Sequence, residues 1–344
     1  MKLSVLPILI QKEIFASMGL SELILTSFCS TKLKNQIAHW IGRQFASIGI
    51  VFYKNGNDRS EILSVNEKEK VQLFCIKKEH EGDGWSRTRI LEEDAEICFP
   101  ADHQHPFLIH NNCPFLLAKL QHYIYDFLGP SIEYHLDSYG FHVPMLNHIS
   151  HSELTLQDPT TASAELEQFL TISPNHEHLF ISSARNSGIE QNQRLKNIAY
   201  VEIAGGGFPC AEVLIGFQGR CLKTYHGVLQ TNTVVEFMRT WQMNQGYQNL
   251  RWLECSFLET ELNPIYILGQ FNFMRLDAPP AFQYRRRRGV GDARHITEEY
   301  RTSSYIKRDI DGHVAYVTLN TNVFRFAVWD KTIQQIEEMA DGVV

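Results

Sequence analysis

Residues 6–41 read LPILIQKEIFASMGLSELILTSFCSTKLKNQIAHWI, and their spacing decides how the chain begins. Pro7 suits a first helical position, where its missing N–H would be unpaired anyway. Ile10, Ile14 and Met18 then recur at helical spacing, with Leu9 and Phe15 widening the stripe. Gly19 ends that segment. Ser21 is the expected cap of a second helix, with Glu22 in its first turn and Leu20, Leu23, Ile24 and Phe28 on one face. Ser30 or Thr31 caps a third, which carries Leu33, Ile37, Trp40 and Ile41. A unit of about 40 residues buries too little surface to be stable alone. After each helix has spent one face on its neighbours, Ile8, Leu25 and Phe15 or Leu9 are left over. Such surplus marks either an interface or a docking face for the rest of the same chain, and periodicity leaves both open.

The ordered set Leu6-Pro7, Ile14-Phe15, Leu20-Ser21-Glu22-Leu23 and Ser27-Phe28-Cys29-Ser30-x-Lys32-x-Lys34 resembles an F-box, in the form found in the large nematode family of F-box proteins. The likeness is ungapped over roughly residues 5–41, with Leu33 standing where many F-boxes carry tryptophan. It implies docking on the small Skp adaptor of a cullin-based SCF ubiquitin ligase. The contacts it implies are Leu6, Pro7, Ile10, Ile14, Leu23, Leu25, Ser27 and Leu33.

Beyond residue 45 the period changes. Ile48–Tyr53 and Ile62–Val65 flank Asn55-Gly56, a hairpin signal because both positions tolerate positive φ. Val71–Ile76 and Trp85–Leu91 read as further strands on either side of a polar loop, Lys77–Gly84. Pro114–Leu128 is the clearest helix: Leu116, Leu117, Leu120, Ile124 and Phe127 share a face, and Gly129-Pro130 ends it. Strands are then expected to begin near Ile132, His178, Tyr200 and Leu250, with helices at Ala164–Leu170 and Thr233–Trp241. Such alternation favours an α/β arrangement. Spacings of about 22 residues or twice that fit leucine-rich-like repeats, although Leu250-x-x-Leu253 is the best leucine signature present.

Phe237-Met238-x-x-Trp241, Gly246 and Asn249-Leu250-x-x-Leu253 resemble part of the nematode F-box-associated domain. Asp309–Ala315 followed by Phe324–Trp329 resembles that domain's closing hairpin, with Tyr316 standing where the family usually has a small hydroxyl residue. The hairpin also rests on the residues themselves. Asp311-Gly312 is a turn dipeptide, and Val317/Leu319 and Phe324/Phe326/Val328 alternate across the pair. The expected class is therefore α+β or α/β: a three-helix F-box over 1–45, then a strand–helix, leucine-rich-like region with antiparallel hairpins over 46–344. The F-box-associated signature occupies about 175–330.

Composition bounds the function. With 44% hydrophobic and 21% charged residues, the 344-residue chain has the make-up of one large or two modest globular domains. A net charge of -7 argues against wrapping nucleic acid. No apolar run approaches the roughly 18 residues of a membrane helix. Leu3–Ile10 is short, runs at once into Gln11-Lys12-Glu13 and lacks a small-residue cleavage site, unlike a secretory signal. Seven cysteines with no Cys-x-x-Cys pair point to free thiols in an intracellular compartment, cytoplasmic or nuclear.

Four constellations resemble chemical sites in composition, and none is expected to carry chemistry. Asp102, His103, His105, His110 and Cys113 crowd together without zinc-ligand spacing, in a stretch that Pro106 and Asn111-Asn112 make a loop. His148-x-x-His151 and His176-x-His178 lack a carboxylate or thiolate partner nearby in sequence. Gly205-Gly206-Gly207 reads as a turn leaving a strand, because neither Walker nor Rossmann spacing follows. Arg285–Arg288 reads first as a solvated loop between Pro279-Pro280 and Gly289, with a phosphopeptide-binding patch and nuclear targeting as sharper alternatives. No catalytic residue, cofactor or metal site is expected.

The reading that follows from the two resemblances is a non-enzymatic, substrate-recruiting subunit. Its expected partners are a Skp-type adaptor, through it a cullin, and an unidentified target protein. A non-ligase interaction scaffold is the alternative. Loops Lys77–Gly84, His103–Asn112 and Arg285–Gly291 are the expected places for target recognition, since loops carry recognition on a rigid scaffold.

Overall fold

The computed structural model describes residues 5–340 apart from 46, 67–68, 79–85, 92, 99–105, 184–186, 258–261, 278, 288 and 293. Asp102, His103, His105, Arg288 and most of the Lys77–Gly84 loop therefore lie outside the described residues. The chain divides into two units: Met1–Ser152 with Thr171–Asn175 and Gly289–Arg294, and Glu153–Leu170 with His176–Arg288 and His295–Val344.

The first unit opens with three helices, α1 (Ile8–Ser17), α2 (Leu20–Phe28) and α3 (Thr31–Phe45). Their inward residues differ in part from the expected stripe. In α1 it is Phe15, fully buried, and Gln11, whose side-chain N–H donates to the Leu6 carbonyl at 2.6 Å, that face inward; Ile10 is 48% exposed. Helix α2 starts from Gly19, whose N–H donates to Glu22 at 2.8 Å, so Ser21 lies inside the helix rather than capping it. Ser30 caps α3 by accepting the Leu33 N–H at 3.2 Å. As the i, i+4 spacing predicts, α3 buries Ile37 and Ile41.

Strands β1 (Ile50–Asn55), β2 (Arg59–Val65), β3 (Lys70–Lys77), β4 (Ser86–Ile90), β5 (Glu93–Cys98) and β6 (Phe107–Ile109) follow, then α4 (Cys113–Leu128) and β7 (Glu133–Ser138). They are ordered β7-β1-β2-β3-β6-β5-β4. The β1–β2 hairpin forms where the sequence places it but turns differently. Asn55 is the last strand residue, paired with Ser60, and the Gly56 N–H donates to the Arg59 carbonyl. Neither Asn55 nor Gly56 takes the left-handed backbone. Asn55 is 1% exposed and spends its amide on the Ser138 hydroxyl and the His142 carbonyl, both at 3.1 Å. Helix α4 is capped by Asn112, whose side chain accepts the Phe115 N–H at 3.1 Å. The predicted face, Leu116, Leu117, Leu120, Ile124 and Phe127, is buried, each side chain contributing roughly 2 kcal/mol. Val290 packs on Ile50, Phe52, Leu63 and Val65. Gly291 follows at φ 67°, with its backbone against the Phe52 ring.

The second unit contains most of β8 (His151–Leu156), then α5 (Ala162–Ile172), β9 (His178–Ser183), β10 (Tyr200–Pro209), α6 (Cys210–Leu214), β11 (Cys221–Val228), α7 (Thr231–Gln242), β12 (Trp252–Phe257), α8 (Pro264–Gly269), β13 (Met274–Arg275), β14 (Phe282–Arg287), β15 (His295–Tyr300), β16 (Ser304–Lys307), β17 (His313–Leu319), β18 (Val323–Thr332) and α9 (Ile333–Ala340). Strands β9, β10, β11 and β12 are parallel neighbours in sequence order. Antiparallel β18, β17, β16 and β13 extend that sheet, while β14 and β15 form a separate hairpin. Three helices followed by a mixed strand–helix region with antiparallel hairpins is thus an α+β architecture.

The expected array lacked β11, and two buried polar residues on its opposite faces explain why. Lys223 and Thr224 interrupt the apolar pattern, yet both are buried. The triple glycine is no turn: β10 runs through it, with a bulge between Ala204 and Phe208. At Gly205 a Cβ would come within 2.8 Å of the Ser183 carbonyl oxygen, so the strand passes there only without a side chain. The closing hairpin pairs as expected, Val317 opposite Phe326 and Leu319 opposite Phe324. Asp311-Gly312 sits one turn earlier, joining β16 to β17, where Arg308 grips the Asp311 carboxylate with two N–H bonds at 2.9 and 2.6 Å.

Two glycines should respond oppositely to alanine. Gly42, inside α3, has no atom within 4 Å of where a Cβ would stand, so Gly42→Ala should stabilise the protein by about 0.5–1 kcal/mol. At Gly291 the new Cβ would meet the Phe52 ring at 2.5 Å with φ at 67°, and Gly291→Ala should cost about 1–3 kcal/mol. Urea unfolding of the two variants checks both signs.

Candidate partner-binding surface

The eight residues implied as adaptor contacts separate into three groups. Pro7 and Ile10 are exposed; Leu6, Ile14, Leu25 and Leu33 are half-buried; Leu23 and Ser27 are buried. The last two are committed inside the chain. Leu23 is part of the helical core at 3% exposure. The Ser27 hydroxyl donates to the Ile24 carbonyl at 2.6 Å and accepts the Tyr123 hydroxyl at 2.8 Å. Tyr123 belongs to α4, its ring lies 4.6 Å from that of Phe28, and the Lys34 ammonium sits 4.3 Å from its centroid. Phe45 meets Phe127 at 5.2 Å. The periodicity left open whether the helical unit docks on its own chain or on a partner. The structure shows the first: α2 and α3 pack on α4, while the start of α1 remains uncovered. Val5, Ile8, Leu9 and Ile10 are 74%, 60%, 75% and 48% exposed.

The histidine pairs have carboxylate neighbours after all, supplied by adjacent strands rather than by nearby sequence. Glu133 and His135 of β7 stand beside His151 at the start of β8, with one ligand-type atom from each within 4.8 Å of the others. The His135 ring stacks on that of His151 at 4.3 Å. This trio is not built to ligate a cation through His135. The Gly291 N–H points at His135 Nδ1 at 3.0 Å, so Nδ1 is the acceptor and the proton sits on Nε2, which donates to Glu133 at 3.0 Å. A neutral imidazole has one free lone pair, and the backbone has taken it. Of the described members of the other cluster, His110 accepts the Asn112 N–H at 3.0 Å, and burial pushes the Cys113 thiol up to about 11. A thiol held protonated is a poor metal ligand.

Arg285–Arg287 are strand, not loop. Arg285 faces solvent, while Arg286 turns inward and donates to Glu298 at 2.6 Å. It also approaches Glu202 at 3.8 Å. Lys223, 3% exposed, donates to the other Glu298 oxygen at 2.7 Å. Tyr225 donates to Glu202 at 3.1 Å, and His178 Nε2 lies 3.5 Å from it. Burial opposes the Glu202 charge, but the His178 hydrogen bond and the cations Lys223 and Arg286 outweigh it, holding the carboxyl at about 2. The same two cations hold Glu298 below its ordinary value. Along the sheet, Glu254 accepts two bonds from Arg325 at 2.8 and 3.1 Å. Every charge here is matched, so the cluster reads as internal cohesion between β10, β11, β14 and β15.

No family model, no curated protein and no solved structure matches this chain.

Two outcomes follow. A carboxyl that folding holds near 2 adds stability fully present above its ordinary value of 4.5 and lost as pH falls toward 2. Wild type should therefore lose more stability between pH 5 and pH 3 than Glu202→Gln, whose neutral amide has nothing to titrate. At pH 7 that substitution should cost about 1–3 kcal/mol, because Tyr225 loses its charged acceptor while Lys223 and Arg286 keep Glu298. Urea titrations at the three pH values test this. Zinc at millimolar concentration should leave the melting temperature unchanged, given the His135 tautomer; a rise abolished by His135→Ala would contradict it.

Proposed function

We propose that the chain is a substrate-recruiting adaptor of a cullin-based ubiquitin ligase. In this reading the N-terminal helices dock on a Skp-type adaptor, and the remainder presents a target protein. The observation that supports it is the uncovered apolar start of α1, where four large side chains stand open to water beside exposed Pro7. A contiguous apolar patch of this kind marks an interaction site. The docking surface is then centred on Pro7, Ile8, Leu9 and Ile10, with half-buried Leu6, Ile14, Leu25 and Leu33 as further contacts. Leu23 and Ser27 would act indirectly, by holding α2 against α4. The resemblance of residues 5–41 to an F-box supplies the partner's class.

The work such a subunit does is positional. Holding a target's lysines near a charged conjugating enzyme raises their effective concentration without any chemistry from this chain. No side chain in this reading needs a tuned pKa.

Co-purification of the full chain with a Skp-type adaptor and a cullin tests the proposal, with Leu9→Glu/Ile10→Glu as the comparison. Both positions are exposed, so the double variant should keep its circular dichroism and melting temperature. Each apolar side chain buried at an interface contributes roughly 1.5–3 kcal/mol, so losing both should weaken adaptor binding by about 100-fold or more. Failure of folded wild type to bind would remove the proposal. Adaptor binding without a cullin would select the non-ligase scaffold instead.

A further inference from the structure

We propose that the groove bounded by β14, β18 and α9 in the second unit binds an acidic peptide segment of a target protein, its carboxylates on Arg301 and Lys331 and an apolar side chain over the Phe282–Trp329 floor. The groove encloses ≈ 880 Å³, within the size range of small-ligand and short-peptide sites. Phe282 and Trp329, 6% and 7% exposed, meet edge to face with ring centroids 5.4 Å apart. Trp252 stacks behind Phe282 at 5.9 Å, so the floor is a rigid aromatic layer that needs little ordering to receive a side chain. Pro279 and Pro280 form one wall.

The rim gives the ligand its charge. Its two carboxylates are already engaged: Asp330 pairs with Arg251, and Glu299 accepts the Gln283 amide at 3.1 Å. Arg301 and Lys331 line the same groove, and among the described residues neither has a carboxylate partner. Arg251, Arg301 and Lys331 stand against Glu299 and Asp330 in the groove, so a chain of net charge -7 carries one local positive charge in excess over an apolar floor. An extended acidic peptide with one aromatic or aliphatic anchor complements both features.

The proposal takes from the previous section only the source of the peptide, a protein to be recruited, and its test does not involve the Skp-type adaptor. A phage library of random 12-residue peptides is panned on the immobilised full chain, and enriched clones are re-tested as synthetic fluorescein-labelled peptides by anisotropy. The expected clones carry two or more Asp or Glu close to a Phe, Leu, Trp or Tyr. Their binding should weaken at least ~10-fold with Arg301→Gln/Lys331→Gln, on the basis of about 1 kcal/mol per screened rim contact, and fall with rising salt. Both side chains reach solvent, so this neutralisation should leave the fold intact, and an unchanged melting temperature verifies that. Phe282 and Trp329 are left untouched because they belong to the core. Enrichment of clones without acidic residues, equal binding by the double variant, or no enrichment would overturn the proposal. The Leu9→Glu/Ile10→Glu variant should select and bind the same peptides as wild type, so a failure of adaptor binding leaves this result untouched.

Discussion

Lys223 sits almost wholly buried in the middle of a parallel sheet, and much of the second unit is arranged around that fact. An unpaired ammonium in such a place would cost several kcal/mol or lose its proton. Glu298 of β15 reaches it at 2.7 Å, and Arg286 of β14 shares the same carboxylate from the other side. The hairpin β14–β15 is therefore held over β10 and β11 by charge at one end. At its other end it is held by apolar burial, where Phe282, Tyr284 and Tyr300 join Trp252, Tyr316 and Trp329 in a single core cluster. Charge fixes the register that the aromatic layer alone would leave loose, since aromatic packing is far less directional than a two-point ion pair. The groove proposed for acidic peptides borders the apolar end, so its rigidity depends on the same anchorage.

A comparable economy governs the first unit. Helices α1 to α3 are too small to stand alone, and α4 supplies what they lack through the Tyr123–Ser27 bond and the Phe28–Tyr123 and Phe45–Phe127 contacts. That arrangement leaves Ile8, Leu9 and Ile10 at the opening of α1 exposed. A reading as an adaptor needs a surface the fold does not consume, and the start of α1 supplies one. The Glu133–His135–His151 trio shows the opposite pattern. It looks like a ligand set in composition, but the hydrogen bond from the Gly291 N–H removes the lone pair such a role requires.

Short-range patterns were legible without the fold. Helix α4, the three N-terminal helices, the β1–β2 hairpin and the β17–β18 pairing all follow from apolar period and turn residues that act within a few positions of one another. What was misread depended on partners far away in sequence. Strand β11 was missed because Lys223 and Thr224 look like solvent-facing residues until Glu298 arrives. Arg286 looked like loop charge until Glu202 and Glu298 faced it. His178 and His151 seemed to lack carboxylates because theirs come from neighbouring strands. Asn55 looked like a turn residue because its value lies in reaching Ser138 and His142.

The amino-acid sequence alone thus determined the three N-terminal helices, α4, the β1–β2 and β17–β18 hairpins, the surplus of apolar side chains at the N-terminus and the lack of any membrane-length apolar run, because each depends on local period and composition. Only the tertiary structure decided which of the eight implied contacts remain available, turning Leu23 and Ser27 inward and leaving Pro7 and Ile10 outside. It also decided that Arg286 is consumed in an ion cluster, and that Arg301 and Lys331, with no carboxylate partner among the described residues, line one groove with Phe282 and Trp329. Those outcomes rest on desolvation and pairing between residues brought together from distant strands, which no local spacing encodes.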